Sequence, residues 1–374
     1  MFLGSVHGQF SCQFCHGGLD DDEFKTMEEA HEGMVADPSA DGVCDACHRQ
    51  IATATANSLH TNLWGEKTAI ETRGRCTFEG SGVEADFAMK CGGCHTTCGQ
   101  CHISRPNSVG GGFPKIGSSS SHRFRKSPDM NEQCTACHGS RVGTDFKGEV
   151  EGNLPDVHRS AGATCDMCHT AREIHGDGQY QGDHYNSRYE VATMPRCEDC
   201  HSPLARNTYH DVHTGAAAEA ESRRLQCQVC HSQPYKNCTN CHNLGTPGFD
   251  IEPSVIQFKI GRNSNPNRTD YDFSVVRHVP IDPGTYSDWG LDLPGYLDEP
   301  TWKYASPHNI LRWTPQTVPG QGGSCSLTCH RTPDSPAGYF LRESDLFEAD
   351  GVTRLPDYDA NIGVVIEEDF TSSK

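Results

Sequence analysis

Within twelve residues, 91–102, the chain reads CGGCHTTCGQCH, two copies of Cys-x-x-Cys-His set two residues apart. The same five-residue unit recurs at 12–16, 44–48, 134–138, 165–169, 197–201, 227–231 and 238–242. A tenth site, CSLTCH at 325–330, has three residues between its cysteines instead of two. Together the ten sites take all but one of the 21 cysteines and leave only Cys76 over. Any fold open to this chain must therefore hold ten pairs of thiols, each with a histidine beside it.

Residues i and i+3 lie on one face of a helical turn, and i+4 follows on the same face. Two sulfurs so placed can form thioethers along one edge of a porphyrin, while the histidine reaches the iron. This is the attachment pattern of c-type haem. The expected thioether residues are Cys12 and Cys15, Cys44 and Cys47, Cys91 and Cys94, Cys98 and Cys101, Cys134 and Cys137. They continue with Cys165 and Cys168, Cys197 and Cys200, Cys227 and Cys230, Cys238 and Cys241, and Cys325 and Cys329. The expected proximal iron ligands are His16, His48, His95, His102, His138, His169, His201, His231, His242 and His330. Zinc ribbons also use Cys-x-x-Cys, and so do redox-active thiols. Neither requires a histidine after every pair, and here one follows at each of the ten sites. A disulfide framework has no use for that histidine either, and 21 cysteines is an odd number. The spacing thus predicts ten covalently bound haem c groups.

Eleven histidines lie outside the motifs: His7, His31, His60, His122, His158, His175, His184, His210, His213, His278 and His308. Ten haems with two axial histidines each would use ten of them, so all eleven are candidate distal ligands. Methionine is the other common sixth ligand and raises the potential of a c-type haem. The chain has only seven methionines, and Met167 lies inside a motif. The expectation is mostly bis-histidine, low-spin iron at low potential. With eleven candidates for ten places, one histidine is surplus or one ligand crosses between molecules. His7 and the neighbours His210 and His213 are the first to consider for such a crossing.

The composition fits a chain filled by something other than its own side chains. Hydrophobic residues make up 34%, with 38 glycines and 21 prolines, a thin supply for a core of this length. The formal charge of −19 argues against nucleic acid and against an anionic membrane surface. No apolar run is long enough to span a membrane. Covalent haem attachment takes place outside the cytoplasm, so an extracytoplasmic location is expected, extracellular or cell-surface in preference to periplasmic. MFLGSVHGQF has neither a basic nor an apolar leader segment, which suggests that the numbering starts at a mature terminus without a lipid anchor.

Along the chain, 1–245 is a haem-dense region with nine sites, and 325–374 holds the tenth site and an acidic tail. Helices are expected over TMEEAHEGMVA (26–36) and AAAEAESRRLQCQVCH (216–231). The stretch 246–324 has no cysteine and carries Trp289, Trp302 and Trp313; SVIQFKI and YDFSVVRHVP read as short strands. It is expected to wrap aromatics over porphyrin faces while His278 and His308 reach irons, with a small β-rich module as the alternative. The expected fold is mostly irregular coil with short α-helices around a chain of stacked haems, and minor β structure in 243–324. DDDEF (20–24) reads as solvated surface, with a structural calcium ion as the minor alternative, and Cys76 as an idle thiol.

With ten such motifs and histidines between them, the chain resembles the multihaem c-type cytochromes of metal-reducing and other anaerobic prokaryotes. It is similar in particular to the extracellular cytochromes that polymerise into nanowires, with mostly bis-histidine haems and little regular secondary structure. SVHGQFSCQFCHGG, with AHEGM after it, also looks like the start of the octahaem reductases of the tetrathionate and hydroxylamine type. In those enzymes one haem is open to substrate, whereas here every motif keeps its histidine. The resemblance implies electron transfer through a row of haems, to redox proteins or extracellular acceptors, with self-association into a filament and no catalytic residues. The alternative it leaves is a reductase or oxidase of a small nitrogen or sulfur compound with one open haem.

Overall fold

In the computed structural model the described residues are 2–19, 26–90, 97–104, 122–178, 184–202, 204, 207–214, 224–237, 255–318, 329–330 and 338–367. Cys91, Cys94, His95, Cys238, Cys241, His242, Cys325, the 20–24 acidic run and residues 216–223 of the helix expected over 216–231 lie outside them; of the remainder only Cys227–His231 is helical. The chain forms two compact units. One comprises 1–66, 85–140 and 164–194, and the other 67–84, 141–163 and 195–374. Most of the described backbone is coil, joined to short helices and two small sheets.

Several of the helices are short because they span a single motif and end at its histidine. Ser11 caps Cys12–His16 by accepting from Phe14 N, and Thr97 caps Cys98–His102 through Gln100 N. Gly17, at φ 66°, then turns the first of these helices off. A π-helical turn, Met130–Cys134, leads into Thr135–His138, with the Asp129 carboxylate accepting from Asn131 N and Glu132 N. The longest helices, Asp45–Thr55 and Trp64–Gly74, have eleven residues each. The helix expected over 26–36 is confined to Met27–Ala30. Gly33 takes a left-handed φ of 73°, and Met34 instead bridges to Gly17.

All five strands lie in the second unit. β1 (Tyr235–Lys236) pairs with β2 (Ile256–Gln257), and β3 (Ile260–Arg262), β4 (Phe273–His278) and β5 (Trp302–Tyr304) form an antiparallel sheet in that order. β4 is buried on both faces from Phe273 to Val276, so it reads as an unbroken run rather than an alternation. One face packs Ile260, Phe273 and Val275 with Tyr235, Phe258 and Ile366. The other packs Val276 and Trp302 with Leu341, Leu346, Tyr358 and Val364. The segment 338–366 completes both clusters, held by Leu341 N to Ile260 O and Arg262 N to Val364 O, each 2.8 Å.

Both apolar clusters belong to the second unit; among the described residues the first unit has none. That first unit carries six of the ten motifs, and many of its large apolar side chains lie exposed. Leu3 is 79% exposed, Val6 76% and Met27 72%, with Phe10 and Phe14 also outside. An ordinary protein-only fold of this size would bury such side chains against one another.

Candidate haem-binding sites

Cys12, Cys98, Cys165, Cys197 and Cys227 each open a helical turn that ends at or just before the motif histidine. His48 N, His169 N and His201 N bond back to the carbonyls of Cys44, Cys165 and Cys197 at 2.8–2.9 Å. This puts both sulfurs and the imidazole on one side of the turn. All sixteen described cysteines are free thiols, so no disulfide competes for them.

Seven motif histidines face a histidine from outside the motifs. The ring centres of His48 and His7 are 6.1 Å apart, of His16 and His122 5.7 Å, of His138 and His60 6.1 Å, and of His102 and His175 5.9 Å. All four of these pairs lie in the first unit. In the second, His201 faces His158 at 6.0 Å, His231 faces His210 at 6.2 Å, and His330 faces His213 at 5.9 Å. A gap of this size suits a shared metal ion. Two metal–nitrogen bonds of about 2 Å plus roughly 1.1 Å from each ring nitrogen to its centre give about 6 Å. Direct ring stacking is closer, as with Trp64 on His184 at 3.5 Å or Trp302 on His278 at 4.7 Å. No family model, curated protein or solved structure matches this chain.

The second ring nitrogen explains the tautomer. Nδ1 of His16, His102, His231, His213 and His31 lies 2.7–3.2 Å from the carbonyls of Val35, Arg125, Leu311, Tyr209 and Met27 respectively. A carbonyl only accepts, so Nδ1 donates and Nε2 keeps a free lone pair. His158 and His169 use carboxylates instead, Asp156 and Glu173, each at 2.9 Å. Anchoring one nitrogen so that the other can bind is how metal-ligating histidines are oriented. Burial is the leading cause that lowers the pKa of His60, His122, His175, His213 and His231, which favours the neutral, ligating form. At His169 burial also pulls down, but the hydrogen bond and charge of Glu173 outweigh it and the pKa is raised.

His278 is placed differently from the other ten candidates. Its Nε2 lies 3.0 Å from Asp357 Oδ2, and Thr301 Oγ1 donates to the same oxygen at 2.5 Å. Sequence gave no sign of this partner, 79 residues away. Without His278 the numbers match in each unit: six motifs with six other histidines in the first, four with four in the second. His7, His210 and His213, the candidates for crossing between molecules, each face a motif histidine of their own chain. His31, a candidate distal ligand, follows the short helix Met27–Ala30 and is exposed with Nδ1 anchored.

The motifs also meet one another. The sulfurs of Cys44 and Cys98, Cys134 and Cys165, and Cys197 and Cys227 lie close enough for each thiol to shift its partner's pKa. The hydrogen bond from its partner is the leading cause holding Cys98 and Cys165 down to about 7. Thr97 Oγ1 donates to Asp37 and Gly99 N to Ser39 Oγ, both at 2.8 Å, tying the 98–102 turn to the approach of 44–48. Gln133 Nε2 reaches Ser104 O at 2.8 Å, joining 98–102 to 134–138. Phe124 stacks on His7 at 4.1 Å, and Phe2 stacks on Phe124 and lies against His122, linking the first two sites. In the second unit His210 and His213, on the one helix Thr208–His213, face the histidines of 227–231 and 325–330. Cys230 and Cys329 pack on the same apolar cluster. Cys76 touches no motif thiol; it lies half-buried near Leu291, and burial raises its pKa.

A search for groups of three or more metal-ligating side chains finds none among the described residues. A porphyrin supplies four of six iron ligands itself, so pairs are all that it asks of the protein. The residues present therefore fit haem.

Proposed function

We propose that this chain is a decahaem c-type cytochrome that passes electrons along a row of bis-histidine haems. The observation that carries the reading is the set of seven facing histidine pairs, 5.7–6.2 Å apart, each with one member inside a Cys-x-x-Cys-His motif. Bound haem supplies one-electron chemistry at iron. The protein's part is to fix orientation through the thioethers, close both axial positions, and exclude water. Porphyrins would also fill the first unit, which has no apolar cluster of its own, and cover its exposed apolar side chains. The coil then wraps a chain of haems, and the contacts between neighbouring motifs bring their porphyrin edges within range of direct transfer.

The chain acts outside the cytoplasm, at the cell surface or beyond, and hands electrons to redox proteins or extracellular acceptors. Self-association into a filament is the form that suits such transfer. No helix among the described residues is long and apolar enough to cross a membrane.

The test is haem quantification by pyridine haemochrome together with low-temperature EPR of the oxidised protein. Ten haems per chain and only low-spin ferric signals are expected. A stoichiometric high-spin signal that shifts with nitrite or hydroxylamine would replace electron transfer by enzymatic reduction. Absence of bound haem would end the proposal. Electron microscopy of native material tests the filament, which single particles would exclude.

A further inference from the structure

Seven described imidazoles have a defined oxygen acceptor at Nδ1, and the acceptors fall into two classes. Five are peptide carbonyls, and two are carboxylates. Asp156 Oδ1 holds His158, the partner of His201, and Glu173 Oε2 holds His169 of the 165–169 motif. Both acids are enclosed, with side chains 3% and 6% exposed. We propose that Asp156 and Glu173 hold the haems at 197–201 and 165–169 at lower reduction potential than the haems whose histidines rest on carbonyls. This rests on reading the motifs as haem sites and goes beyond it to how electrons distribute among them.

The physical argument has two parts. A carboxylate draws the Nδ1 proton more strongly than a neutral carbonyl does, in a charge-assisted bond. The imidazole gains imidazolate character and donates more strongly through Nε2, which favours the ferric ion. The enclosed negative charge, in a medium of low dielectric, also stabilises the extra positive charge of ferric iron. Reduction moves one electron onto iron, from a neighbouring haem or an added reductant. No bond breaks, and the proton stays on Nδ1 in both oxidation states. Both effects act in the same direction, and they are missing at His16, His102, His231 and His213, whose acceptors are neutral.

Asp156 has other tasks. Its Oδ1 also accepts from His158 N and its Oδ2 from Ile310 N, both at 2.7 Å, so it organises the backbone around its histidine. Glu173 has a simpler setting, which makes it the cleaner probe. Both are positioning residues, acting on iron only through an imidazole.

Potentiometric titration of the fully loaded protein, followed by haem absorbance, separates tuning from scaffolding. Glu173→Gln keeps an acceptor for Nδ1 but removes the charge. It is expected to move one haem's share, about a tenth of the absorbance change, from the low-potential end to higher potential. Haem content and the low-spin spectrum should be unchanged, which keeps this outcome distinct from a failure of the haem reading itself. Asp156→Asn should move a second, separate tenth, and the double variant both. If the Asn variant loses its fold, the Gln variant alone carries the test. A titration curve for Glu173→Gln that overlays the wild type, with haem count intact, overturns the proposal.

Discussion

Replacing His213 by alanine tests the ligand pairing at one place. His213 is the last residue of the helix Thr208–His213, and its ring faces His330 at 5.9 Å. Its only described anchor is Nδ1 to Tyr209 O, 2.8 Å, at the surface. Losing that bond costs about 0.5–1.5 kcal/mol, well below the stability of a domain. The helix start is untouched, because Asn207 still accepts from His210 N at 3.0 Å. Three residues earlier, His210 keeps its own partner His231 at 6.2 Å. The variant should therefore fold, bind ten haems, and open one axial position. High-spin ferric signal is expected from one haem in ten, and added imidazole should return it to low spin by filling the space of the lost ring. No new high-spin iron would show that His213 closes no haem. Two haems' worth would show that the helix holds His210 and His213 as one element, and the independence argued from the two pairings would fail.

Three further outcomes follow from the second unit. Burial is the main cause that pushes Asp145 up to about 6, against the opposing pull of Arg277 at 3.3 Å. A carboxyl whose folded pKa is raised contributes stability that is complete below its unfolded value and lost as pH rises through about 6. The loss is at most about 3 kcal/mol. The urea midpoint should fall from about pH 4 to just above 6, and Asp145→Asn should remove that slope; an unchanged slope refutes the assignment. Gly261 sits where a Cβ would meet Val364 Cγ1 at 2.8 Å and Val276 Cγ1 at 2.9 Å. Gly261→Ala should cost about 1–3 kcal/mol in urea denaturation, and a neutral result would mean that 364 is not packed on β3. Arg73 is 2% exposed and bonds Glu299 at 3.2 Å, while Lys303 holds the same carboxylate at 2.7 Å. Glu299→Gln strands the buried guanidinium and should cost more than Arg73→Met, which leaves Glu299 with Lys303; the reverse order of urea midpoints refutes this.

The motifs could be found from sequence because each is a local object, complete within one helical turn. Two strands could be found for a similar reason, since SVIQFKI and YDFSVVRHVP are dense in β-branched and aromatic residues; β2 and β4 lie in them, and β3 only begins at the last residue of the first. The helix over 26–36 was misjudged because propensity counted Glu, Ala and Met. The fold there is set by Gly33 and by the bridge of Met34 to Gly17, next to His16 Nδ1 on Val35 O. The ligand pairing left no trace in sequence for a deeper reason. At His31 and His213 the imidazole is aimed by a hydrogen bond to a peptide carbonyl, and a carbonyl exists at every residue. His210 and His213 share one helix, yet they face histidines 21 and 117 residues further along. Only the count of histidines was legible, eleven outside ten motifs. His278 is the one whose Nε2 is taken by an acid, Asp357, while its ring stacks on Trp302. A histidine whose Nε2 is bound to an acid serves the sheet, and one whose Nδ1 is bound leaves Nε2 for a metal. That choice of nitrogen separates His278 from His31, His158 and His213, which are held through Nδ1. It predicts that Asp357→Asn will loosen the 338–366 segment on the sheet and leave the haem spectrum as it was, to be checked by urea denaturation beside EPR. A change in haem spin state in that variant would place His278 among the ligands after all.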